Sequence, residues 1–219
     1  MAKLILDIST SLDGFVAGPD PDLENPLGLG GMQLHEWVFG AKAWREAHGL
    51  EGGEEGIDSE LTSELIGQAT ATVMGRKMYS NGSGPWEDDP KANGWWGDEP
   101  PFHHDVFVLT HHQREPLVLG DTTFHFVSDG IESALEQAKS AAGDGDVRLG
   151  GGADVAQQYL RAGLLDVAQL HVVPLLLGGG VRLFGDHDSG AVRELELTRV
   201  LESPTGVIHL SYRADDRSR

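Results

Sequence analysis

The 219-residue chain has no cysteine. That excludes structural disulfides, thiol catalysis and every zinc site built on thiolates. It has no stretch of eighteen apolar residues and no early apolar run behind a basic segment. The expectation is therefore a soluble, cytoplasmic protein. Positive charge is scarce, with 16 Lys and Arg against 35 Asp and Glu and a net charge of −19. Such a field repels nucleic acid and anionic membranes, so neither is an expected partner. A phosphorylated ligand would be repelled at long range as well, so each cation near a candidate site gains weight. Three catalytic signatures are missing: G-x-x-x-x-G-K-[ST], H-E-x-x-H and G-x-S-x-G. Their absence removes the P-loop, the common zinc protease and the usual hydrolase elbow.

Glycine is abundant, with 30 residues, and three of them fall together at Gly150, Gly151 and Gly152. They lie in VRLGGGADVAQQYLRAGLLD, between a short strand at Val147–Leu149 and an amphipathic helix. Val155, Ala156, Tyr159, Leu160 and Leu164 mark one face of that helix. Glycines let the backbone approach a ligand, and a first helical turn offers unpaired N–H groups to an anion. The stretch is thus a candidate phosphate-binding turn. Val155 stands where a third spaced glycine would complete a G-x-G-x-x-G reading. A tight strand-to-helix turn that binds nothing is the plain alternative.

Alternating and β-branched runs predict strands at Lys3–Ser9, Ala69–Met74, Val106–Thr110, Thr123–Val127 and over most of Val167–Leu177. Helices are predicted over Leu34–Trp44, Ser59–Ile66 and Ile131–Ala142. The last has a capping box from Asp129 and Glu132. Residues 49–57 are predicted as an exposed acidic loop. Asn81–Pro101 is irregular and carries Trp86, Trp95 and Trp96. Asp20, Asp22 and Glu24 do not complete a calcium loop, because Asn25 and Gly31 replace its turn glycine and final glutamate. Arg193–Leu201 and Gly206–Tyr212 predict an antiparallel hairpin. One domain over residues 1–214 is expected, with a polar tail at 215–219.

Strands alternating with helices imply an α/β protein with a mainly parallel sheet, helices on both faces, and the hairpin at one edge. Ligands collect beyond the carboxyl ends of such strands. Four loops are expected there: Ser9–Val16, Gly75–Met78, Thr110–Arg114 and Gly150–Asp154. His103-His104 and His111-His112 form no chelate within a strand, since neighbours face opposite sides. No metal is expected.

The motifs SLDGFVAG, VMGRKMY, VFVLTH, LGGGADVAQQYLRAGLLD and LHVVPLLLGGGVRLF occur in this order across nearly the whole chain. In combination they resemble the dihydrofolate reductase fold superfamily. The closer likeness is to the bacterial branch related to the C-terminal reductase domain of riboflavin biosynthesis. The resemblance implies a three-layer α/β/α fold and an NADPH-dependent reductase of a small heterocyclic or carbonyl substrate. It places Gly75, Arg76, Lys77 and Met78 at the adenine-side phosphates, and Thr110, His111 and Arg114 at the 2′-phosphate. Gly150, Gly151, Gly152, Ala153, Asp154 and Val155 would cradle the pyrophosphate and border the nicotinamide, with Val16 and Ala17 at the nicotinamide end. It also suggests a homodimer. The residues agree in kind: Arg76, Lys77 and Arg114 supply local cations, and arginine suits phosphate oxygens.

Hydride transfer further needs a proton, which suits a carboxylic acid whose pKa is raised by burial. Asp13, beside the first strand, and Glu36, in the first helix, are the candidates. Asp13 also reads as half of an Asp-Gly turn, and Glu36 as a solvent-facing helix residue. Trp37 and Trp86 are candidate walls for a heteroaromatic substrate, or plugs of the core. Reduction of a ribosylaminopyrimidine is one option within this reading, although the zinc motif of the deaminase that would accompany it is missing. A rival reading from another class is an NADP(H)-binding protein or sensor without catalysis.

Overall fold

Leu4, Leu6 and Ile8 point to one side of the opening strand, while Ile5, Asp7 and Ser9 point to the other. This alternation puts β1 (Leu4–Ser11) in the interior of a sheet that is covered on both faces. The structure, a computed structural model, describes residues 2–185 and 194–214. Labels run along the chain. Six adjacent strands are parallel: β8 (Val167–Val173), β1, β7 (Asp146–Gly151), β3 (Ala69–Gly75), β4 (Asp105–Leu109) and β6 (Thr122–Val127). Beyond β8 lies the predicted hairpin, β11 (Ile208–Arg213) beside β8 and β10 (Glu196–Glu202) at the edge. A short antiparallel strand, β5 (Leu117–Leu119), closes the opposite edge. A separate two-stranded ribbon joins β2 (Phe15–Ala17) to β9 (Val181–Arg182).

Two long helices cover one face, α5 (Ile131–Ala142) and α6 (Ala153–Arg161). Ala134, Leu135, Ala138, Val155, Ala156 and Tyr159 pack there against Leu4, Leu6, Val73, Phe107 and Leu149. The Tyr159 hydroxyl donates to the Ile131 carbonyl at 2.8 Å and so joins the two helices. The other face carries α3 (Ile57–Gln68), the short helices α1 (Glu36–Gly40), α2 (Lys42–Ala47) and α4 (Arg76–Ser80), and two smaller cores. One joins Leu34 and Trp37 to Val173 and Val207. The second gathers Met74, Tyr79, Val106, Val108 and Phe124 under Trp86, Trp96 and Phe102. Of the adjacent pair, Trp96 turns into this core, while Trp95 lies by Lys91. Among the described residues no helix is long and apolar enough to cross a membrane.

Several expectations need correction. The helix read over Leu34–Trp44 is a 3-10 turn (Gly31–His35) followed by two short helices, broken where Ala41 adopts an extended ψ of 133°. The break is made by a partner distant in sequence. Lys42 N donates to Glu54 O at 3.0 Å, and Glu54 N to Gly40 O at 2.8 Å. Residues 49–56 are the exposed loop expected, and Glu54 alone in it bridges to the Gly40–Lys42 backbone. The capping box at α5 is absent: Gly130, at φ 109°, is the N-cap, and Asp129 accepts from Ser133 Oγ at 2.8 Å. α3 is longer than the predicted Ser59–Ile66. β7 continues through Gly150 and Gly151; as expected, most of Val167–Leu177 is strand, which ends at Val173, before Pro174. Arg193 and the tail 215–219 lie outside the described residues.

Leu6 is 1% exposed in the middle of the sheet, whereas Val118 on the edge strand is 66% exposed. Leu6→Ala is expected to cost about 2–5 kcal/mol in urea denaturation, and Val118→Ala no more than about 0.5 kcal/mol. Similar losses at the two positions would contradict this placement of the core.

Candidate functional site

Because β1, β3, β4 and β7 run parallel, their carboxyl ends share one edge of the sheet. Ser11, Gly75, Leu109 and Gly151 end these strands, so all four loops singled out in the sequence begin there. The β3 and β7 loops touch. A Cβ built on Gly75 would meet Val155 Cγ2 at 2.8 Å and approach Gly152 N at 3.7 Å. Met78 packs beneath the glycine run, with its Cε 3.1 Å from the position of a Cβ on Gly150. Gly151 lies at φ 119°, and the Gly151–Gly152 peptide bond is cis. The chain then enters α6 with Gly152 as N-cap and no side-chain cap. The first intrahelical bond is Ala156 N to Gly152 O at 3.1 Å, so the amides of Ala153, Asp154 and Val155 have no helical partner. Asp154 is exposed in this first turn and opposes an anion there.

α4 supplies the cations. Arg76 is 7% exposed, and its Nε donates to Ser80 Oγ at 2.9 Å. Its Nη2 pairs with Asp89, which also accepts from Ser80 Oγ at 2.6 Å. The Arg76 guanidinium lies over the Trp86 ring, 3.1 Å from the centroid. Burial alone would raise the Asp89 carboxyl, but the bonds from Ser80 and Arg76 overcome it and hold the group below the usual carboxylate range. Arg76 Nη1 is buried and meets no acceptor among the described residues. Lys77 is exposed on the same short helix. Arg114 turns into the 81–101 segment, donating to the Ala92 carbonyl and to Asn93 Oδ1. Tyr79 donates to the same carbonyl at 3.1 Å, and burial pushes its phenol up to about 12. Thr110 is buried at the end of β4 and His111 is exposed beside it. An open cleft of about 230 Å³ lies next to Arg76, walled by Ser80, Gly82, Ser83, Asp88 and Asp89, with Leu23 opposite.

β2 passes close to this edge. Val16 is buried in the same core as Ala153 and Val155, and Ala17 is half-buried. Neither acid candidate has the expected environment. Asp13 accepts from Ser11 Oγ at 2.6 Å, Gly178 N at 2.8 Å and Leu177 N at 3.1 Å. The Ser11 bond, helped by the two amides, outweighs the burial that would raise its pKa and holds it below the usual range. Asp13 thus ties the β1–β2 turn to the loop after β8 as an ionised group. Glu36 is exposed at the start of α1 and not in a buried pocket. Neither tryptophan presents a free wall. Trp37 is 8% exposed, donates to Ser9 Oγ at 3.0 Å and lies against the rings of His171 and His209. Trp86 is clamped between Arg76 and Phe126, and its Nε1 donates to the His112 carbonyl at 2.8 Å. The roles as core plugs, weighed as alternatives in the sequence, describe where both rings sit.

Sequence reasoning missed Asp89, Ser80 and Ser11, the partners that fix Arg76 and Asp13. No local signal joins Arg76 to Asp89 across an irregular loop. It also missed a polar chain on the helix-α3 face of the sheet. Its signal was present: Asp7 interrupts the apolar start of β1, and Gln169 and His171 are the two polar residues of β8.

Residues 2–209 match the RibD C-terminal domain, and the chain belongs to that family. Its sequence is 22% identical over 216 residues to YyaP, an uncharacterized protein of Bacillus subtilis, covering 96% of this chain and 94% of that one. Its fold is similar to that of a putative riboflavin biosynthesis protein from Shewanella sp. PV-4, at TM-score 0.63 and 21% identity, over 99% of this chain and all of the other. It is similar also to a Thermotoga maritima diaminohydroxyphosphoribosylaminopyrimidine deaminase/5-amino-6-(5-phosphoribosylamino)uracil reductase. There the TM-score is 0.55 and the identity 13%, over 97% of this chain and 56% of that one. The central sheet with its helices is thus the dihydrofolate reductase-like fold of RibD-type proteins.

Asp89→Ala leaves the Arg76 charge buried without a counter-ion. It is expected to cost about 3–5 kcal/mol in chemical denaturation at pH 7. The folded-state pKa of Asp89 lies below its unfolded value. Its contribution is therefore complete above the ordinary carboxylate range and lost as pH falls through the folded pKa. The gap between wild type and variant should accordingly narrow in acid; a gap under about 0.5 kcal/mol at neutral pH would refute the pinning role.

Proposed function

We propose that this member of the RibD C-terminal domain family is a reductase that binds NADPH along the carboxyl edge of its sheet. Its substrate is a small heterocyclic or carbonyl compound. One observation carries the reading: the glycine run opens α6 with an uncapped first turn, and Gly75, packed against that turn, is followed by an arginine whose buried Nη1 meets no acceptor among the described residues. Both features call for an oxyanion, and NADPH has several. When bound, NADPH supplies the hydride.

The chain's own residues then have separate tasks. The amides of Ala153, Asp154 and Val155, reached through Gly150, Gly151 and Gly152, receive the pyrophosphate. Gly75 keeps β3 close enough to share that ligand, and Met78 supports the glycines from below. Arg76 Nη1 and exposed Lys77 take phosphate oxygens. Thr110 and His111 border the 2′-phosphate, while Arg114, already committed to Ala92 and Asn93, contributes its field. Val16 and Ala17 line the nicotinamide end. The acceptor-rich cleft of Ser80, Ser83, Asp88 and Asp89 suits a heterocycle that carries N–H donors, such as an aminopyrimidine. With Asp13 ionised and Glu36 in solvent, water delivers the proton.

A second reading, a dinucleotide-binding protein without turnover, draws on the inward-turned tryptophans. Stopped-flow mixing with NADPH and candidate pyrimidines or pterins separates the two, since only the reductase oxidises the nucleotide.

In fluorescence titration NADPH is expected to bind more tightly than NADH, and Lys77→Ala to narrow the difference. Asp154→Asn removes a charge that opposes the pyrophosphate. It should tighten NADPH about two- to five-fold, from the typical worth of one charge at a helix N-terminus. Unchanged affinity in this variant would count against placing the pyrophosphate at α6.

A further inference from the structure

On the sheet face covered by α3, four titratable side chains from four elements form one hydrogen-bonded row. Asp7 Oδ1 lies 2.8 Å from His171 Nε2, His171 Nδ1 lies 2.8 Å from His209 Nδ1, and His209 Nε2 lies 2.9 Å from Asp58 Oδ1. The two histidines are 2% and 3% exposed, in facing positions on β8 and β11. We infer that this Asp7–His171–His209–Asp58 row carries one proton more than two neutral histidines, and that this proton makes the seating of Trp37 and α3 on the sheet pH-dependent.

The inference follows from counting. Three hydrogen bonds in a row need three protons. Two ionised carboxylates and two neutral imidazoles bring only two. With both Nε2 atoms donating to carboxylates, two neutral rings would set bare Nδ1 atoms against each other at 2.8 Å. One added proton between the Nδ1 atoms satisfies every contact. The surroundings balance its charge. Arg148 Nη2 pairs with Asp7 Oδ2 at 2.7 Å from β7. Ser203 Oγ and Thr205 Oγ1, from the β10–β11 turn, donate to Asp58 Oδ2 at 2.8 and 3.2 Å. From the 3-10 turn His35 faces the group, held below its usual pKa chiefly by burial. From α1 the neighbour is Trp37, with ring centroids 4.7 and 4.9 Å from those of His171 and His209. Two carboxylates, one guanidinium and one extra proton sum to zero. A second added proton is resisted: burial first, and then the His171 charge, lowers the pKa of His209 against the pull of Asp58.

The sign follows from proton counts in the two states. Below the unfolded histidine pKa of about 6.5, the unfolded pair binds two added protons and the folded pair one, so stability rises with pH. Above it the unfolded pair binds none and the folded pair one, so stability falls as pH rises. Asp58→Asn removes the need for the proton. The Asn amide donates to His209 Nε2, its carbonyl still accepts from Ser203 and Thr205, and two neutral rings complete the row. Two measurements test this. The first is imidazole nitrogen NMR of the whole protein at pH 7, where three of the four ring nitrogens of His171 and His209 should carry protons. The second is thermal melting between pH 7 and 9. Wild type should lose about 3 °C per pH unit relative to Asp58→Asn, the size expected for one proton in a domain of this length. Two protonated nitrogens at pH 7, or parallel melting profiles, would overturn the proposal. If Asp58→Asn does not fold, the spectrum of the unaltered protein decides alone.

Discussion

The close approach of Gly75 to Val155 and Gly152 is the constraint on which the candidate site depends. A side chain at position 75 would have to displace Val155, because a Cβ there would stand 2.8 Å from Val155 Cγ2. This contact brings the end of β3 against the start of α6. It sets the start of α4 beside the turn that leads from the glycine run into α6. A wider spacing would leave a basic helix and a glycine turn as unrelated surface features. Parallel order does the rest, since it delivers every strand's carboxyl end to the same edge.

Charge at this edge is local. In a chain of net charge −19, Arg76 is kept by burial, an Asp89 counter-ion and the face of Trp86. Asp89 neutralises part of it, yet Nη1 meets no acceptor among the described residues. The acids considered for proton delivery are used differently: Asp13 holds two loops together, and Glu36 faces water.

Most of the fold was legible because its signals are local. Alternation in β1, β-branched residues in β3 and the 3.6-residue period of α5 and α6 each lie within one element, and the order of motifs fixed the topology. Some failures involve a partner far along the chain, and others a competitor close by. Ala41 breaks a regular apolar period because Glu54 pairs with its neighbours. The Asp129–Glu132 pattern does not cap, since Gly130 takes that place. Trp86 and Trp37 carry aromatic faces that sequence leaves free and packing consumes. β5 has three residues and only a hairpin partner to define it. The glycine run and the cations were visible as residue types, but the Arg76–Asp89 pair that shapes the site was not.

A crystal structure of the protein grown with NADPH tests the central claim most directly. Pyrophosphate oxygens are expected within hydrogen-bond distance of the amides of residues 153–155, with a phosphate oxygen on Arg76 Nη1. A nucleotide bound elsewhere, with this corner of the sheet edge closed by side chains, would contradict it.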